Sequence, residues 1–253
     1  MLQTLAERHE SLMIIIYFTG TGLVLVWIFT SARCRPSLLS YDGVVGPFFG
    51  LPAVLFSLMT ALNAASLWDN YAAATQAVRA ESQSLIAIIS LAESIPDLRS
   101  SGLADLARSY ARSVIEDEWE TLSPGTEQSP ITRRRYEELR SALFGAINHL
   151  GNSAEARTLQ TELLHTSAAR DRRLAHISFD VHITRWYALV ALALLVQAAV
   201  AFVHIPRPRA LKAAMCIATL TILVPLCSMA VTVSTPYQGM VAISSTPFLT
   251  VLR

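Results

Sequence analysis

Apolar and charged positions are segregated along this chain. Four windows carry no Asp, Glu, Lys or Arg: 11–32, 43–68, 186–206 and 213–252. Each is long enough to cross a bilayer, because a hydrocarbon core of ~30 Å takes about 20 apolar residues. The fourth is too long for one span, and its apolarity falls after Val233 into Ser234-Thr235-Pro236-Tyr237-Gln238-Gly239. Helical spans are therefore predicted near 11–32, 43–68, 186–206 and 213–233. The first reads as an anchor, since Glu7, Arg8, His9 and Glu10 precede it where a signal peptide needs a basic start. Pro225 is expected to kink the fourth, because an internal proline removes one helix hydrogen bond and clashes with the turn before it.

Between the second and third windows the periodicity is helical throughout, with no period-2 strand. After Trp68 the positions Tyr71, Ala74, Val78, Leu85, Ile88, Ile89 and Ala92 recur without Pro or Gly before Pro96. The second span is thus predicted to leave the bilayer as one long helix. A further helix starts around 96–101 and carries Leu103, Leu106, Tyr110, Val114 and Trp119 before Ser123-Pro124-Gly125 stops it. Another opens with Ser129 as N-cap and Pro130 at the first helical position, aligns Tyr136, Leu139, Leu143, Ile147 and Leu150, and ends at Gly151. The next is expected from Asn152, with Glu155 at the spacing of a capping box, and can run directly into the span at Trp186. No Gly/Ser linker intervenes, which predicts one continuous folding unit.

The expected fold is an all-α integral membrane protein with four transmembrane helices and a helical aqueous bundle inserted between the second and third. Its segments are 1–68 (first transmembrane pair), 69–185 (aqueous domain), 186–233 (second pair) and 234–253 (a C-terminal segment, either packed on the protein or re-entrant). Composition agrees: 53% of the 253 residues are hydrophobic and 15% charged, where soluble domains carry about 25% charged. Of 20 Lys and Arg and 19 Asp and Glu, 13 basic and 16 acidic lie between Asp69 and Arg185. A net charge of +1 supplies no global field to recruit nucleic acid, which is not expected as a partner.

Cys34, Cys216 and Cys227 lie in or beside spans without paired spacing, so neither a disulfide framework nor a zinc site is predicted. The nucleophile-elbow, P-loop and dinucleotide motifs are missing, and His165, His176 and His182 do not have the i,i+4 spacing of a helical metal pair. No enzyme activity, cofactor or metal is expected.

Three stretches carry a resemblance. Phe49-Gly50 is followed by Trp68, Tyr71, Ala74 and Glu81; Tyr110-Ala111-Arg112-Ser113-Val114 is followed by Glu118-Trp119 and Leu122; and Pro236-Tyr237-x-Gly239 is followed by Ile243-Ser244 and Pro247. Together, in order along nearly the whole chain, they resemble the bacterial bestrophin-like family of four-span membrane proteins. The chain departs from that pattern at Ser234 and Thr235, where a charged residue is expected, and at Tyr237, where Phe is commoner. True bestrophins are pentameric anion channels with a helical aqueous domain largely between spans two and three and a pore lined by span two. The resemblance therefore implies a homo-oligomer in the bacterial inner (cell) membrane, with the lipid bilayer and small anions as partners. The alternative is a non-conducting scaffold or sensor whose helical domain binds a protein partner.

Within the second span, Ser57, Thr60, Asn63 and Ser66 recur every three residues among alanines. At 3.6 residues per turn each step precesses by about 60°, so the strip drifts across half of the helix. Pore lining and helix–helix packing, which also favours small and hydroxyl residues, both remain open; Asn63 is the least suited to face lipid. Phe49 and Phe56, with Phe48, form an aromatic constriction or simply pack. The acidic run Glu116-Asp117-Glu118-Trp119-Glu120 lacks the loop of a calcium site and reads as a solvated face, as does Arg133-Arg134-Arg135 with Glu137 and Glu138 three and four residues on. Orientation has two readings. Arg33, Arg35, Arg207, Arg209 and Lys212 against Asp42 place the short loops in the cytoplasm by the positive-inside rule, whereas the resemblance places the central domain there.

Overall fold

The computed structural model describes residues 2–31, 36–37, 50–99, 101–119, 122, 128–176, 183–234, 237 and 242–253. Among them the secondary structure is helical, with no strand. The helices are α1 (Leu2–Thr30), α2 (Gly50–Ser94), α3 (Pro96–Arg99), α4 (Leu103–Ser113), a π turn at Val114–Glu118, α5 (Pro130–Leu150), α6 (Ala154–Ala175), α7 (Ile183–Val203), α8 (Pro208–Ser234) and α9 (Thr246–Val251). Among the described residues, four segments are long and apolar enough to cross a membrane: Leu12–Thr30, Gly50–Ser94, Thr184–Val203 and Pro208–Ala230. Pro225 lies inside α8. The expected continuation into the third span falls on 177–182, outside the described residues.

The chain divides into two compact units, Met1–Trp68 with Asp180–Val233, and Asp69–Phe179 with Ser234–Arg253. The lack of a flexible linker constrains the backbone, but contacts gather where apolar faces meet.

In the first unit the large apolar side chains point outward. Met13, Ile16, Trp27, Val54 and Val224 are each at least 66% exposed, an outer surface suited to hydrocarbon and costly in water. Its interior holds Phe29, Ala201, Ile205, Leu211 and Met215, with Phe29 edge-on to Phe202 at 5.0 Å. One buried amide ties three helices. Gln197 on α7 accepts a hydrogen bond from Thr21 Oγ1 of α1 at 2.8 Å, and its Nε2 donates to the Phe18 carbonyl at 2.9 Å and to Thr219 Oγ1 of α8 at 3.2 Å. Gly22 permits this approach, since a Cβ there would sit 3.0 Å from Thr219 Oγ1.

The second unit is built from α2 beyond Trp68, α3 to α6 and α9. Two local expectations are corrected here. The helix predicted to start around 96–101 comes as two pieces, a single turn at Pro96–Arg99 and then α4 from Leu103, parted by Gly102 at φ 69°, a left-handed conformation that glycine tolerates. The α6 N-cap is Ser153, one residue later than predicted; its hydroxyl accepts from Ala156 N at 3.0 Å. The chain leaves α5 through Gly151 at φ 62° and is extended only at Ser153, so Glu155 does not occupy the capping-box position. Arg135 pairs with Glu138 at 3.0 Å and Arg140 with Glu137 at 3.3 Å on the solvent side of α5.

Candidate functional site

The second unit encloses a charged cluster. Arg173 of α6, Glu81 of α2 and Glu118 at the end of the π turn all have side-chain exposure of 0%. Arg173 Nε donates to Glu81 Oε2 at 2.7 Å and its Nη2 to Glu118 Oε2 at 2.8 Å. Tyr110 donates its hydroxyl proton to Glu81 Oε1, while Arg170 Nη1 donates to the Tyr110 oxygen at 2.8 Å. Arg170 also lies over the Tyr136 ring at 4.4 Å, and Arg173 over Phe248 at 5.7 Å. Tyr237 closes the cluster by donating to the Arg173 carbonyl at 2.9 Å, and Trp119 meets Tyr237 edge-on at 5.3 Å. Two carboxylates thus face two guanidiniums, a balance that makes burial of charge tolerable.

The placement follows from helical spacing. On α2 the buried positions Ala74, Val78, Leu85, Ile88 and Ala92 leave a gap of seven, and Glu81 fills it at four-three spacing. On α6, Leu159, Leu163 and Thr166 lead at the same spacing to Arg170 and Arg173, all buried. Along α4, Leu103, Ala107, Tyr110 and Val114 form the inward stripe. A continued α-helix would carry Asp117 and Glu118 about 50° to either side of it. The wider π turn, closed by Trp119 N on the Val114 carbonyl at 2.9 Å, rotates Glu118 inward instead. Thr132 Oγ1 supports the junction by donating to the Ser113 carbonyl at 3.0 Å. Such turns concentrate at functional positions. The solvated-face reading of the acidic run is therefore corrected for Glu118, whereas Glu116 is exposed.

Arg170 and Arg173 were not expected as site residues. Their signal was present as two cations continuing an apolar heptad stripe, but opposite charges on separate helices carry no mark of which will meet.

Electrostatics follow the geometry. Burial on its own lowers the affinity of Arg173 for its proton, but the Glu81 and Glu118 carboxylates outweigh it and hold the guanidinium well above its ordinary range. Burial, with Glu81 adding to it, raises Tyr110 well above the ordinary phenol, and burial likewise raises Tyr237. Folding therefore favours the protonated phenols. Their contribution is complete below the unfolded value of about 10 and is lost as pH rises through the folded values. The unfolding midpoint is expected to hold steady up to about pH 10 and to fall above it, with a shallower fall in Tyr110→Phe. An equal alkaline slope in that variant, measured by thermal unfolding across the range, sinks the assignment.

The second-span candidates separate. Ser57 is exposed and donates to the Ala53 carbonyl at 2.8 Å. Asn63 is 3% exposed and donates to the Met59 carbonyl at 2.8 Å. Thr60 and Ser66 are half-buried, and Thr60 Oγ1 has no hydrogen-bond partner among the described residues. Phe56 is buried and Trp68 exposed, while Tyr71 is half-buried. Phe49, Pro236 and Gly239 lie outside the described residues. The structure thus brings together Glu81, Glu118 and Trp119 from the resemblance, joined by Tyr110 and Tyr237, and spreads the polar strip of the second span over two sides of α2.

No curated protein and no solved structure matches the chain. The family model of the Bestrophin-like domain matches residues 16–248, which takes in all four apolar helices from within α1 onward and every residue of the buried cluster: the chain belongs to the bestrophin-like family.

Proposed function

We propose that the protein is a homo-oligomeric channel of the bacterial inner membrane that passes small anions through a pore lined by the second span. Residues 69–185 then form an aqueous domain inserted between the second and third spans. Family membership supports a membrane protein of channel-like kind. The observation that carries the finer reading is the outward face of α2, where Ala53, Ser57, Ala61 and Ala64 are exposed together. Small side chains allow copies of the helix to approach closely, and an exposed hydroxyl keeps its lone pairs for pore water. No basic residue lies between Gly50 and Trp68, and the Ser57 proton is donated to the Ala53 carbonyl, so attraction for an anion comes from the positive N-terminal end of the helix. Phe56, Asn63 and Leu67 are buried and hold this face outward.

The test is stoichiometry of the purified protein together with anion flux in liposomes. Ser57→Leu is expected to lower flux by about tenfold or more, equivalent to roughly 1.4 kcal/mol on the permeation barrier. Asn63→Leu, at an inward position, is expected to act on stability first. A stable monomer, or flux unchanged by Ser57→Leu, sinks the pore. An oligomer without flux favours the scaffold or sensor whose helical domain binds a protein partner.

A further inference from the structure

The first unit carries a groove of about 460 Å³ between α1 and α8. Leu23 and Val26 form one wall, Leu220 and Leu223 the other, and Gly22 the floor. Lys212, the only lysine of the chain, stands at one end. The two helices run antiparallel here, since Phe29 packs with Leu211 and Met215 while Gly22 adjoins Thr219. From Lys212 to Leu223 the helix rises ~16 Å, about half of the ~30 Å hydrocarbon core and so the depth of one leaflet.

Among the described residues the cationic end has no counter-charge. Arg207, Arg209 and Lys212 are exposed, and none has an acidic partner among the described residues. Arg209 precedes Lys212 by three residues on the same helix face. No acidic residue lies in the first turn of α8, where a helix favours negative charge. A second copy of the chain has little to offer this site, because its acidic residues outside 69–185 are Glu7, Glu10 and Asp42.

We propose that this groove binds an anionic phospholipid, one acyl chain lying between α1 and α8 and the phosphate paired with Lys212 and Arg209. Basic pockets between membrane helices are suited to such headgroups. The groove accepts the chain without closing a cavity, and the headgroup supplies the charge that the loop between α7 and α8 lacks. The site rests on the four apolar helices lying in a bilayer and is independent of conduction.

The test reconstitutes the full-length protein in vesicles of equal phosphatidylglycerol and phosphatidylcholine, re-extracts it in mild detergent, and quantifies the retained lipid. Phosphatidylglycerol is expected to be enriched over the input. Arg209→Ala and Lys212→Ala are each expected to reduce the enrichment by about five-fold. Cys216→Trp fills the groove from an exposed position and is expected to reduce retention of both lipids. A melting curve for each variant confirms that it has folded. No enrichment in the wild type, or enrichment unchanged by all three substitutions, overturns the proposal. A changed oligomeric state in Cys216→Trp with retention of both lipids intact overturns it in favour of a second copy in the groove. Release of the protein from alkali-washed membranes would overturn the span reading, and this site with it, whatever the flux assay gives.

Discussion

Arg173→Met is expected to lower the stability of the protein by about 3–5 kcal/mol, the cost of leaving buried charges without their partner. Two carboxylates, Glu81 and Glu118, receive charge-assisted hydrogen bonds from this one guanidinium. Arg170→Met provides the comparison, because Arg170 donates to the Tyr110 hydroxyl rather than to a carboxylate. Its loss is expected to cost about 1–3 kcal/mol. Thermal unfolding of the purified variants in detergent separates the two values. The triple variant Arg173→Met, Glu81→Gln, Glu118→Gln removes all three charges and is expected to recover much of the loss, since neutral groups of similar size are far easier to bury. A triple variant no more stable than Arg173→Met, or equal losses at Arg170 and Arg173, would falsify this account of the cluster.

The second large effect concerns the C-terminal segment. Phe248→Ala is expected to cost about 3–5 kcal/mol, the range for deleting a buried aromatic ring. Phe248 is fully buried, with its ring 6.0 Å from Trp119 and 5.7 Å from the Arg173 guanidinium. Its removal opens a cavity beside the ion pairs, and water entering there weakens the pairing by raising the local dielectric. Leu249→Ala, one residue along on the exposed side of α9, is expected to change stability by less than about 0.5 kcal/mol. Chemical unfolding of the two variants side by side checks the contrast. Similar midpoints for both would show that the segment does not pack on the bundle in solution.

Much of the helical plan was legible because burial repeats with the helix. The run through α2 to Ser94, free of Pro and Gly from Ala53 onward, the start of α5 at Pro130 and the apolar lengths of α1, α7 and α8 each follow from local periodicity and composition. The errors were also local. Gly102 breaks a helix that the apolar spacing would continue, and Ser153 takes the cap that Asn152 was expected to hold. Backbone conformation at one glycine decided each case.

The buried cluster was legible only in part. Glu81, Glu118, Trp119, Tyr110 and Tyr237 stood out through a family resemblance, but no physical reading of the sequence drew them together. Glu81 and Arg173 are 92 residues apart, and a carboxylate on an apolar stripe does not identify its cation. Gln197 presents the same limit in the first unit. A lone amide in an apolar window gave no sign that Thr21 and Thr219 would reach it.

The sequence by itself determined which segments are helical, which of them can lie in a bilayer and which family the chain resembles. Those properties depend on spacing, composition and motif order, which are one-dimensional. Tertiary structure alone decided which inward charges pair, that a π turn presents Glu118 in place of Asp117, and that Asn63 faces inward while Ser57 faces out. Each of these depends on how a helix is rotated against its neighbours, and a rotation of about 100°, the angle of a single residue, exchanges a buried side chain for an exposed one.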